Sequence, residues 1–278
     1  MSGAPDPLYV LARTVLLDAL EALGAQRDAI VLVGAQAIYL HTGAIDFAVP
    51  EYTTDADVAI DPRLLRALPE LELSLTSAGF FRGARVGAWA ITKELGSRSV
   101  DVEIDLMVPE ALGGRGRRAA RLAGHKDQVA RKARGLEAAL VDKRTVAVNA
   151  LDDADRRSYM IAVAGPAALL VSKLHKIEER LAEGKGHRLD DKDALDVLRL
   201  LQAVATATLA QGFLVLVQDA IAKEVTAETL TSLRTHFATP QGAGSQMAVR
   251  AAGPLADPAA IAASCAVLTM DLLQAVAR

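Results

Sequence analysis

The sequence predicts an α/β (α+β) domain with a mixed sheet over residues 1–150, followed by an all-helical domain over 151–278. In the first half, short β-branched runs ending in glycine or bounded by aspartate alternate with segments of helical period. A stretch at 99–108 alternates apolar and polar residues strictly. Beyond residue 150 the pattern is helical, opened by Pro166.

Residues 8–23 carry apolar side chains at helical spacing and stop at Gly24, which predicts an amphipathic helix laid over a sheet. Residues 29–34, Ala-Ile-Val-Leu-Val-Gly, read as a strand ending in a tight turn, and 35–41 as the helix that follows. A loop containing Gly43, Pro50, Thr53 and Thr54 leads to a second strand at 55–60, closed by Asp61 and Pro62. Residues 62–78 are predicted helical, and 79–91 a strand pair with glycine turns. At 99–108 the alternation puts Asp101, Glu103 and Asp105 on one face and Val100, Val102, Ile104 and Leu106 on the other. Helices are predicted over 166–180 and 190–201 and through the remainder, with turns at 239–242 and 253–254.

Composition narrows the class. With 51% apolar and 23% charged residues, the chain is an ordinary globular protein rather than a disordered or fibrous one. A net charge of −3 supplies no global attraction to a polyanion, so a nucleic-acid role has to rest on a local patch. One exists at 113–134, where Arg115, Arg117, Arg118, Arg121, Lys126, Arg131, Lys132 and Arg134 stand against Asp127 alone. It reads either as a backbone-binding surface or as a charged loop balancing the acidic strand. The lone Cys265 excludes an internal disulfide and a thiolate metal cage, which fits a cytoplasmic protein, and no secretory leader is evident. The uncharged stretch 200–218 has bilayer length, but its three glutamines and two threonines argue for a buried helix broken near Gly212 and against a membrane protein.

The chemistry concentrates in the first domain. A hard divalent cation such as Mg²⁺ or Mn²⁺ takes carboxylate oxygens, and Asp55-Ala56-Asp57 on a strand puts two of them on one side. A third from a neighbouring strand would complete a two-metal arrangement; Asp105 is the expected one, with Asp101 and Glu103 as alternatives on the same face. Gly34 closes a strand at a helix start, where free backbone N–H groups attract phosphate.

Together, Leu32-Val33-Gly34-Ala35-Gln36-Ala37, Thr53-Thr54-Asp55-Ala56-Asp57 and Ile104-Asp105-Leu106-Met107-Val108-Pro109 resemble the minimal nucleotidyltransferase pattern of the DNA polymerase β superfamily. Downstream, Lys173-Leu174-His175-Lys176-Ile177-Glu178-Glu179-Arg180 and Arg188-Leu189-Asp190-Asp191-Lys192-Asp193-Ala194-Leu195-Asp196 resemble motifs of the AbiEii/MenT-type toxins of type IV toxin–antitoxin pairs. The resemblance covers about 28–201. It departs at Ala35, where the family carries Gly or Ser, and at Glu51 and Tyr52, where an arginine is usual.

The resemblance implies an enzyme that transfers a nucleotide from an NTP to an RNA, with the tRNA 3′ end as acceptor and a cognate antitoxin as partner. By position, Asp55, Asp57 and Asp105 would be metal ligands, and Gly34, Ala35, Lys173 and Lys176 would meet the NTP. Asp57, Lys173 and Asp193 would be catalytic, with Asp196 the alternative to Asp193. Asp193 would act as general base or orient Lys173. The 115–134 patch would bind the tRNA backbone. A small-molecule nucleotidyltransferase and a catalytically weak nucleotide-binding regulatory module are the rival readings.

Overall fold

The computed structural model describes residues 5–43, 52–116, 118–183, 191–254 and 256–278. The chain divides into two compact units: Met1–Ala37, Glu51–Ala133 and Lys143–Ala164 form one, and Ile38–Pro50, Arg134–Asp142 and Gly165–Arg278 the other. A single break at residue 150 was expected, but Arg134–Asp142 already belongs to the second unit and Lys143–Ala164 to the first.

The first unit opens with helix α1 (Pro7–Ala22), where Asp6 caps the Leu8 N–H at 2.8 Å and Pro7 supplies a preset φ. Val15, Leu16, Leu17 and Leu20 on α1 are buried. The strands are β1 (Ile30–Val33), β2 (Asp55–Ile60), β3 (Phe81–Arg82), β4 (Ala88–Leu95), β5 (Arg98–Pro109), β6 (Arg131–Ala133), β7 (Lys143–Asn149) and β8 (Ser158–Ala164). Helices α2 (Gly34–Thr42) and α3 (Leu71–Ser77) interrupt them. Among the described residues the sheet runs β3-β4-β5-β2-β1-β8-β7, with β6 paired to β5. It is mixed, as expected: β2 is antiparallel to β1 and parallel to β5, and β8 is parallel to β1. Strands β1 and β2 lie in its middle, and all four residues of β1 are buried.

Two predicted elements differ. Residues 62–78 were expected to be helical, yet only Leu71–Ser77 is. The earlier part is held open by side chains: Asp61 accepts from the Arg63 N–H at 3.0 Å, while Gln26 accepts from the Arg66 N–H and donates to the Arg66 and Pro69 carbonyls, each at 2.9 Å. With its backbone groups satisfied this way, the segment gains nothing from helical bonds. Strands β7 and β8 were not foreseen, although Tyr159, Ile161 and Val163 alternate at strand period.

The second unit contains α4 (Pro166–Glu183), α5 (Lys192–Ala203), α6 (Thr206–Leu216), α7 (Lys223–His236), α8 (Ala243–Ala252) and α9 (Pro258–Val276). The helix break expected near Gly212 falls instead between α5 and α6, which bend by 113°. Gly212 lies inside α6, where an added Cβ would come 2.6 Å from the Ala167 Cβ on α4. Glycine here serves close helix packing, not a break. Helix α9 is long and apolar enough to cross a bilayer, and in this unit it packs against α5, α6, α7 and α8.

Candidate active site

The first unit carries four carboxylates in adjacent registers. Across the parallel β2–β5 pair, Asp55 stands opposite Glu103 and Asp57 opposite Asp105. Directly paired residues project to the same face, so all four carboxylates share one side of the sheet. Asp101 falls beyond the start of β2 and accepts instead from the Thr92 hydroxyl at 2.7 Å. Of the three acids left open by the strand pattern, Asp105 is therefore the one beside Asp57.

The strand–turn–helix around Gly34 abuts Asp57. Gly34 has φ +68°, and an added Cβ would come 2.1 Å from the Asp57 Oδ2 and 2.7 Å from its Cβ. Only glycine fits both the backbone and that approach. Ala35 follows it, buried in the first turn of α2. Gln36, also buried, donates to the Asp55 carbonyl at 3.0 Å and accepts from the Arg13 guanidinium at 2.8 Å. Arg13 reaches on to the Asn149 carbonyl at 2.9 Å and the Tyr9 hydroxyl at 3.1 Å. Thr53, buried, donates to the Asp55 Oδ1 at 2.6 Å. This network fixes the start of β2.

Two arginines face the carboxylates. Arg85, on the turn between β3 and β4, meets Glu103 at 2.7 Å and the Asp105 Oδ1 at 3.5 Å. Arg131 on β6 meets the Asp105 Oδ2 at 3.3 Å. Asp105 raises the Arg85 pKa most, against the opposing effect of burial, and Glu103 and Asp55 raise it further. Neither arginine was singled out from sequence for this site. Arg85 sits between Gly83 and Gly87 in a turn, and Arg131 within the basic run, so linear spacing connected neither to Asp105.

Among the described residues no group of three or more His, Cys, Asp or Glu side chains is drawn together tightly enough to hold a metal ion as it stands. The donor chemistry nevertheless fits a hard divalent cation: Asp55, Asp57 and Asp105 offer carboxylate oxygens on one face. The buried Asp105 Oδ1 has no hydrogen-bond partner.

In the second unit, Lys173 on α4 is buried and donates to the Asp193 Oδ1 at 2.6 Å and the Asp196 Oδ2 at 2.7 Å on α5. Two of its three N–H donors are thereby used. Lys176 approaches Asp193 at 3.6 Å, and Arg180 pairs with it too. Burial alone would lower the Lys173 pKa, but Asp193 and Asp196 outweigh it and hold the amine charged. Burial would likewise raise that of Asp193, but Lys173, Lys176 and Arg180 hold it well below the ordinary carboxylate value. A carboxyl so placed accepts a proton poorly, which favours orientation of Lys173 over general-base work. The His175 Nε2 lies 2.9 Å from the Val225 carbonyl and 3.7 Å from a Glu228 carboxylate oxygen.

The basic run divides. Arg131 serves Asp105, Lys126 pairs with Glu72 at 3.4 Å, Lys132 donates to the Gly114 and Gly116 carbonyls, and Arg134 pairs with Glu224 and Glu228. Arg115, Arg118 and Arg121 are exposed. Glu51, Arg117 and residues 188–190 lie outside the described residues.

The sequence model of the Nucleotidyltransferase family matches residues 13–223, from the arginine behind Gln36 through the sheet and both lysine–aspartate helices. The chain belongs to this family and is an enzyme that transfers nucleotidyl groups. Its class uses NTP as donor and generally a divalent metal. No curated protein matches the chain.

Proposed function

We propose that this enzyme transfers a nucleotide from an NTP to an RNA acceptor, the 3′ end of a tRNA, in a Mg²⁺-dependent reaction, as the toxin of an AbiEii/MenT-type toxin–antitoxin pair acting in the cytoplasm. The observation that carries the transfer chemistry is the register of Asp57 against Asp105, with Asp55 alongside and Gly34 pressed on Asp57. A divalent cation bound there would activate the attacking hydroxyl and offset charge on the triphosphate. Asp55, Asp57 and Asp105 would hold it, while the Gly34 turn and Ala35 would bring backbone N–H groups to the phosphates.

By the resemblance, Lys173 and the more exposed Lys176 would meet the NTP, with Lys173 held charged by Asp193 and Asp196. Asp193 would orient it. The acceptor reading rests on the resemblance at 173–180 and 188–196 and on the exposed Arg115, Arg118 and Arg121, which suit phosphate.

The test incubates purified protein with total tRNA, Mg²⁺ and each labelled NTP in turn, beside Asp57→Asn. Label entering tRNA with wild type alone supports the proposal and names the donor. Transfer to a small acceptor but not to tRNA would replace it with the small-molecule reading.

A further inference from the structure

Resting on that reading of the carboxylate face, we propose that Arg85 is its resident counter-ion: it occupies the cation's place when the face is empty and passes to the triphosphate when metal and nucleotide arrive. Arg85 is thus a positioning residue that couples the binding of the two.

Backbone hydrogen bonds bring Arg85 to the carboxylates, beside the contacts its side chain makes there. The turn is tied by Gly83 N–H to the Ala88 carbonyl at 2.8 Å, Ala88 N–H to the Arg85 carbonyl at 3.1 Å, and Leu106 N–H to the Gly87 carbonyl at 2.8 Å. Gly87, at φ +80°, lets this turn approach so closely that a Cβ would lie 2.5 Å from the Leu106 carbonyl oxygen and 2.6 Å from the Arg131 nitrogen. The guanidinium is delivered to the rung next to Asp105 while its side chain stays 61% exposed.

The contacts it makes there are replaceable. Its short bond goes to Glu103, at the edge of the face, whereas the 3.5 Å approach to Asp105 is electrostatic and leaves the buried Oδ1 without a hydrogen bond. That oxygen is the unused ligand of the face. Arg131, fixed on β6 and 28% exposed, is the steadier partner of the other oxygen. A guanidinium matches carboxylate and phosphate equally well in geometry, so an incoming triphosphate offers Arg85 a substitute for what the cation displaces. Metal alone must expel a charge; metal with nucleotide need not. The two should therefore bind with positive coupling.

The experiment titrates full-length protein with Mn²⁺, following free Mn²⁺ by electron paramagnetic resonance, with and without a non-hydrolysable α,β-methylene NTP. Wild type, Arg85→Gln, Arg85→Lys and Asp57→Asn are compared. Arg85→Gln is expected to bind Mn²⁺ alone about thirtyfold tighter, the factor that one unit charge about 4 Å from a divalent ion produces across water. It is expected to bind the analogue more weakly in saturating Mn²⁺, while Arg85→Lys stays near wild type. Unchanged or weaker Mn²⁺ binding in Arg85→Gln, with binding still dependent on Asp57, would overturn the counter-ion role alone. Mn²⁺ binding indifferent to Asp57→Asn would overturn the carboxylate reading beneath it.

Discussion

Asp57 and Asp105 are register partners across a parallel strand pair, one from the middle of the sheet and the other from the strand beside it. Two carboxylates so placed repel each other, and Arg85 and Arg131 beside Asp105 offset that repulsion. Asp57→Asn is expected to abolish nucleotide incorporation while thermal unfolding stays within a few degrees of wild type, since a like-charge repulsion is relieved. Incorporation that survives would move the site elsewhere.

Gly34→Ala combines a left-handed backbone with a collision at the Asp57 carboxylate. The expected cost is about 1–3 kcal/mol of stability, with activity falling further than stability because Asp57 is the group displaced. Urea unfolding beside initial rates on the same preparation checks both.

Gln36→Leu removes a donor from the Asp55 carbonyl and an acceptor from the buried Arg13. The expected loss is about 1–3 kcal/mol, read by urea denaturation. Gln36→Glu would keep the arginine but set a carboxylate against the Asp55 carbonyl, so it should restore stability more than activity.

Lys173→Met leaves Asp196 buried without its amine and should destabilise the protein by about 3–5 kcal/mol at neutral pH. The sign with pH follows from Asp193, whose pKa is lowered from its ordinary 3.8. Its stabilisation is present above that value and fades as pH falls through the range below it. The gap between wild type and Lys173→Met should therefore narrow below about pH 4, and a gap constant from pH 7 to 3 would sink this account.

Reversal of Arg117, Arg118 and Arg121 to Glu is expected to weaken tRNA binding at low salt and flatten its salt dependence, without lowering the unfolding temperature appreciably. Filter binding at two salt concentrations decides it; unchanged binding would remove this surface from the RNA-binding proposal.

Much of the site was legible because its signals are local. Gly34 after a β-branched run, Asp-x-Asp at the head of a strand and the alternating acids at 99–108 each follow from nearest-neighbour geometry, and β1, β2 and β5 form where that geometry predicted. The helix expected through 62–70 was not legible, because Gln26 and Asp61 take over its backbone groups, and Gln26 lies far away in sequence. Gly212 read as a breaker, since the Ala167 side chain that requires it belongs to another helix.

By itself, then, the sequence determined a mixed sheet followed by helices, the Asp55-x-Asp57 pair with its glycine turn, and separate lysine-bearing and aspartate-bearing stretches of helical period downstream. Tertiary structure alone decided which acid stands beside Asp57, that Arg85 and Arg131 answer Asp105, and that Lys173 is buried between two carboxylates. Periodicity reports which face a side chain takes, whereas partnership depends on strand register and helix packing, which bring together residues that no spacing along the chain relates.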